Sequence, residues 1–160
     1  MAWQKLGSTT LTGTGDIIDI DPIDDKKFDL ILLHGLYSGN SNSTFNLNSD
    51  TGVSYSRRSS YAGTADSLAI NQTSFSYDDS SVHPSIFAVT YMINISSEEK
   101  LMISRNILNT ATGAGTPPYR IEQVQKWINT SAGATSIKHT QSKGGGDYLT
   151  DSNVSVLGTD

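Results

Sequence analysis

The chain has 160 residues, no cysteine, 17% charged residues and a net charge of -5. That is enough length for one ordinary domain with its own core, and it excludes a disulfide framework, a thiolate nucleophile and a cysteine-ligated zinc site. The acidic balance and scattered Lys and Arg argue against a nucleic-acid binder, and no apolar run approaches the roughly 20 residues needed to cross a bilayer. Ser, Thr, Asn and Gly take the places that helix formers would occupy, which favours strands and turns.

In chain order, residues 1–15 read as an extended N-terminal arm. Their opening Met1-Ala-Trp-Gln-Lys-Leu-Gly7 lacks the apolar core of a secretory signal, so synthesis in a cytoplasm is expected. Ile17–Ile20 is a short strand that ends at Asp21-Pro22. Phe28–Leu33 is nearly continuous in apolar residues, the pattern of a strand buried on both faces. Phe45 and Leu47, then Val53 and Tyr55, alternate with polar residues on either side of Asn48-Ser49-Asp50-Thr51-Gly52. Those central residues accept tight turns and positive φ, so Phe45–Arg58 reads as a β-hairpin.

Ser67–Ile70 and Thr73–Tyr77 follow as short strands, the second polar enough for a sheet edge. Ile86–Ile95 carries the strongest pattern, with Phe87, Val89, Tyr91, Ile93 and Ile95 on one face at period 2. The turn Ser96–Glu99 connects it to a hairpin partner, Lys100–Leu108. Tyr119–Ile128 reads as a strand, although Ile121, Val124 and Ile128 also fit a helical stripe. Thr135–His139 and Asn153–Leu157 close the chain on either side of a flexible Lys143-Gly-Gly-Gly146. About eight to ten short strands with little helix predict a single all-β domain over residues 1–160, an antiparallel, jelly-roll-like β-sandwich.

The candidate chemistry is thin. Leu30–Leu36 ends in His34-Gly35, like the oxyanion-hole strand of an α/β-hydrolase, but no G-x-S-x-G elbow accompanies it. His34, His83 and His139 lie far apart, and His139 beside Lys138 reads as an exposed strand position. Asn46, Asn48, Asp50 and Gly52 resemble the start of a calcium loop, yet Arg57 stands where the bidentate glutamate belongs. Asp16, Asp19, Asp21, Asp24 and Asp25 could bind a cation between loops, and read in preference as solvated charges blunting a strand edge. Glu98, Glu99 and Glu122 are the only glutamates available for a glycosidase pair. Trp3, Trp127 and the seven tyrosines could stack sugars, or simply fill a core. No catalytic, cofactor or metal residue is assigned, and the chain is expected to be no enzyme.

One pattern spans most of the sequence: Trp3-Gln-Lys-Leu-Gly7-Ser-Thr-Thr-Leu11, Gly15-Asp16-Ile17-Ile18, the Phe28–Leu33 run, and Phe45-Asn46 with Asp50, Gly52, Tyr55 and Arg57. It continues in Trp127-Ile128-Asn129, Ile137 and Val156-Leu157-Gly158. With these short motifs the chain resembles single-domain β-sandwich proteins of tailed-phage virions. The resemblance implies a non-enzymatic virion component made in the host cytoplasm: a capsid decoration, head-fibre or tail-associated protein. Its partners would be further copies of itself, a trimer being the favoured homo-oligomer, and other virion proteins, with no nucleic acid or membrane. A host-surface glycan is an additional candidate, which leads to the alternative of a carbohydrate-binding module or lectin-like adhesin.

Overall fold

The computed structural model describes residues 2–40, 42–77, 83–141 and 147–160, none of them helical. Twelve strands form two antiparallel sheets packed face to face, so the β-sandwich read from the sequence is the fold observed. The larger sheet holds eight strands in the order β1 (Gln4–Thr10), β12 (Asn153–Thr159), β3 (Phe28–Leu36), β8 (Ser85–Ile93), β9 (Lys100–Asn109), β10 (Tyr119–Trp127), β5 (Tyr55–Tyr61), β6 (Ser67–Gln72). The smaller holds β2 (Ile17–Ile20), β11 (Ile137–Gln141), β4 (Ser43–Leu47) and β7 (Phe75–Ser76).

The ambiguous Tyr119–Ile128 segment is a strand, because both flanks offer ladders: β9 pairs with it from Tyr119 to Trp127, and β5 from Ile121 to Trp127. The Ile86–Ile95 and Lys100–Leu108 segments form the expected hairpin, with the Glu98 amide donating to the Ile95 carbonyl at 3.0 Å in the turn. β6 and β7 are both edge strands. The N-terminal residues do not extend as an arm. Gln4–Thr10 pair along β12 with a bulge between Lys5 and Gly7, where a Cβ on Gly7 would stand 2.5 Å from Ile20 Cγ2. Lys143–Gly146 lie outside the described residues.

The core is a slab between the sheets. Ile18, Ile20, Phe45, Leu47 and Ile137 from the small sheet meet Ile31, Leu33, Ile86, Met92, Met102, Val154 and Val156 from the large one. Phe45 is its aromatic hub, 4.7 Å from the Phe75 ring and 4.8 Å from Tyr77. Five of the seven tyrosines split in the same sense: Tyr37, Tyr55, Tyr77 and Tyr148 are buried, and Tyr91 is exposed.

Candidate functional site

The Phe45–Arg58 segment keeps its turn and loses its hairpin. Asn48 and Ser49 have φ of 51° and 54°, and the Asp50 amide closes the turn onto the Leu47 carbonyl at 2.9 Å. Yet β4 belongs to the small sheet and β5 to the large one, so the two strands never pair. The segment is an arch across the sandwich. Turn chemistry fixes a reversal of direction; it does not decide whether the returning strand lies beside its predecessor or across the core from it. Val53, expected on the inward face with Tyr55, sits in the arch and is 65% exposed.

The arch is held by polar atoms that a calcium loop would need for the ion. Asp50 Oδ2 accepts from the Trp127 indole N–H at 2.7 Å, and its Oδ1 from the Gly52 amide at 2.8 Å. Asn48 Oδ1 accepts from the Thr135 and Ser136 amides, and its Nδ2 donates to the Gly133 carbonyl. Asn46 Nδ2 donates to the carbonyls of Asp50 and Thr73, both at 2.7 Å. Burial disfavours the Asp50 carboxylate, but the Trp127, Gly52 and Ser54 donors outweigh it and hold its pKa below the usual value. Arg57 and Arg58 do not act as a pair. Arg58 reaches Asp66 at 3.1 Å, while Arg57 stands opposite the inward-facing Gln125.

The other candidates are likewise scattered. His34 is exposed on β3. His83 is buried and stacks on Tyr119 at 5.7 Å. His139 is not the exposed strand residue expected: it is fully buried and stacks on both Phe45, at 5.4 Å, and Tyr77, at 5.5 Å. Neither ring nitrogen has a hydrogen-bond partner, and burial pushes its pKa down to about 3. The reason lies in parity, since Ile137, His139 and Gln141 share the inward face of β11. Asp16, Asp19, Asp21, Asp24 and Asp25 are all exposed, Asp19 on the edge strand β2. Glu99 and Glu122 are ion-paired with Lys126 and Arg105. Among the described residues no group of three or more histidines and carboxylates is placed to hold a metal ion.

What the sequence leaves unseen is the orientation of the large sheet. On β8 the apolar stripe Phe87, Val89, Tyr91, Ile93 points away from the core, and Ile86, Ala88, Thr90 and Met92 point into it. β9 repeats the inversion, with Leu101, Ile103 and Ile107 outward and Lys100, Ser104 and Asn106 inward. Through the strand register one outward row runs Leu30, Tyr91, Ile103, Val124, Arg58, Leu68 across six strands. Tyr91, Leu101, Ile103 and Val124 are 55%, 52%, 58% and 52% exposed. Part of this face lines a shallow trough of about 800 Å³ that reaches from Trp3 on one side to Ile70 on the other. Phe28–Leu33 is thus buried on one face only, with Leu30 and Leu32 half-buried and Phe28 exposed.

The inward row of the same strands is correspondingly polar. Thr90 and Ser104 hydroxyls lie 2.7 Å apart, and Gln125 Nε2 donates to Ser104 Oγ at 2.7 Å. Asn106 Nδ2 donates to the Tyr77 carbonyl at 2.6 Å and to Gln123 Oε1 at 3.3 Å, and Gln123 Nε2 reaches Ser59 Oγ at 3.2 Å. At the end of this face Lys100 Nζ donates to the carbonyls of Ser96, Glu98 and Asn129, and burial lowers its pKa. The Asp29 carboxyl is fully buried, with the Asn94 amide near it but outside good hydrogen-bond geometry. Burial, only partly opposed by the Asn94 amide, pushes it up to about 7. The hydroxyl and amide groups form a polar ladder under the sheet. The candidate site is therefore the outer face itself. No family model matches the chain, and no curated protein does either.

Proposed function

We propose that this chain is a non-enzymatic virion structural protein, a capsid-decoration, head-fibre or tail-associated component that works through protein–protein contacts. The observation that carries the reading is the outer face of the eight-stranded sheet. Soluble monomers rarely expose contiguous apolar patches beyond a few hundred Å², and larger ones mark interaction surfaces. Here the apolar face crosses the centre of the sheet, where a folding chain would normally place core residues. The virion assignment rests on the sequence resemblance to phage β-sandwich proteins.

The test is quantitative mass spectrometry of purified particles from a lysate that expresses this chain, alongside a variant with Tyr91→Lys and Ile103→Lys. The wild type should copurify at a fixed stoichiometry and the variant should be depleted. Absence of the wild-type chain from particles would overturn the reading. Hundreds of copies would indicate decoration, and a few copies a tail or vertex position. Among the exposed aromatics, Trp3 and Tyr91 favour the glycan-binding alternative, whereas Trp127 is wholly buried and takes no part in it. Binding on a glycan array, abolished by Trp3→Ala or Tyr91→Ala, would promote that reading over the first.

A further inference from the structure

We infer that the outer face of the eight-stranded sheet packs against the same face of a second copy of this chain, making a two-fold dimer whose sheets stack small, large, large, small. The inference deepens the assembly reading by naming the first partner of that surface. Three observations carry it. The first is area. Eight outward residues of β3, β8, β9 and β10, from Phe28 at 36% to Ile103 at 58% exposed, form the patch. With roughly 150–250 Å² for a whole aromatic side chain and less for Ile, Leu and Val, they leave on the order of 800 Å² of apolar surface, the amount one partner buries in a standard interface.

The second is charge. In a two-fold interface a patch meets itself, so an unbalanced cation near the axis would face its own copy. The cations that interrupt the central rows each meet a carboxylate of the same chain: Arg58 with Asp66 at 3.1 Å, Lys126 with Glu99 at 2.9 Å, and Arg105 with Glu122 at 3.9 Å. The central rows are neutralised from within, and of the outward cations on these strands Arg120, beside Ile107 in the row that ends at Phe87, is the one left without a carboxylate among the described residues. The third is shape. Twisted antiparallel sheets of the same hand pack face to face at about 30° with interdigitating side chains. A glycan or small-molecule site would show convergent polar groups; the central row from Leu30 to Val124 offers only the Tyr91 hydroxyl.

The test uses the absence of cysteine in this chain. Sedimentation velocity at about 10 μM should give twice the 17.2 kDa chain mass for the wild type. Ile103→Lys combined with Tyr91→Lys should give the monomer, weakening association by roughly 100-fold or more. Both positions are exposed, and a cooperative unfolding transition of the monomeric variant would show that it folds. Ile103→Cys should form an intermolecular disulfide under mild oxidation, and Asp19→Cys, on the edge of the other sheet, should not. A wild-type monomer at that concentration, a dimer indifferent to the double substitution, or a trimer held by this face would overturn the two-fold pairing. If the chain is monomeric but the double variant still loses its place in particles, the pairing fails and the assembly reading stands. If the dimer forms as described in a chain absent from particles, the assembly reading fails and the pairing stands.

Discussion

Replacing Asp50 with alanine removes the acceptor that closes the arch onto β10. The side chain takes the Trp127 indole N–H at 2.7 Å and the Gly52 amide at 2.8 Å. A hydrogen bond to a charged group contributes about 1.5–3 kcal/mol, and the second, local bond about 0.5–1.5 kcal/mol. Asp50 is itself only partly buried while Trp127 is fully buried, so water can reach the carboxylate's place but not relieve the indole completely. The expected loss is about 2–3 kcal/mol, or roughly 5–10 °C in thermal midpoint for a chain of this size. Urea unfolding followed by circular dichroism at pH 7 measures it. Pairing Asp50→Ala with Trp127→Phe in a double-mutant cycle should return a coupling of about 1.5 kcal/mol. The folded-state pKa of Asp50 is depressed, so its contribution is present above the unfolded carboxylate value and is lost as pH falls through the folded one. The gap between wild type and variant should therefore narrow below about pH 4. A loss under about 0.5 kcal/mol at pH 7 would refute the view that the arch is tied down through this carboxylate.

His139→Phe should stabilise the fold by about 1–2 kcal/mol, because it removes two unpartnered ring nitrogens from an aromatic stack, and chemical denaturation at pH 7 would show it. The native histidine titrates at about 3 against 6.5 when unfolded, so its contribution is present above 6.5 and lost as pH falls towards 3. Asp29 runs the other way: raised from 3.8 to about 7, its contribution is present below 3.8 and lost as pH rises through 7. The two slopes oppose each other between roughly pH 4 and 6.5. Denaturation midpoints across that window should fall with pH in His139→Phe and rise with pH in Asp29→Asn; parallel profiles in both variants would contradict the assignment. Gly7→Ala should cost about 1–3 kcal/mol, since its methyl would stand 2.5 Å from Ile20 Cγ2 at the β1 bulge, and a normal thermal midpoint would show that the bulge yields.

Period-2 patterning located nearly every long strand, because alternation is a local property that the chain writes in consecutive residues. The direction of each face was not legible. In Ile86–Ile95 the more apolar parity looks like the core side by every local measure, yet it is the outer one. A signal was present on the other parity: Thr90, Ser104, Asn106, Gln123 and Gln125 all lie opposite apolar stripes, and their side chains can satisfy one another only when adjacent strands bring them together. That requires the register, which no single strand encodes. The Asn48–Gly52 turn was legible in φ and wrong in topology for a related reason, since sheet membership is settled by non-local pairing. His139 was misread because its neighbour Lys138 is charged, although neighbours on a strand face opposite sides.

The place of β12 has a consequence in time. This strand is inserted between β1 and β3, and Thr10 bonds to Asn153 across 143 residues of sequence. Residues 28–36 of β3 therefore leave the ribosome long before one of their two neighbours exists. At 5–20 residues per second the interval between Leu36 and Asn153 is roughly 6–23 s. Through it the Leu30–Leu33 edge stands open beside β8 with unpaired amides and carbonyls. The growing chain must keep that edge from other strands until its own last strand arrives, so slower synthesis should lower the soluble yield while leaving the finished fold unchanged.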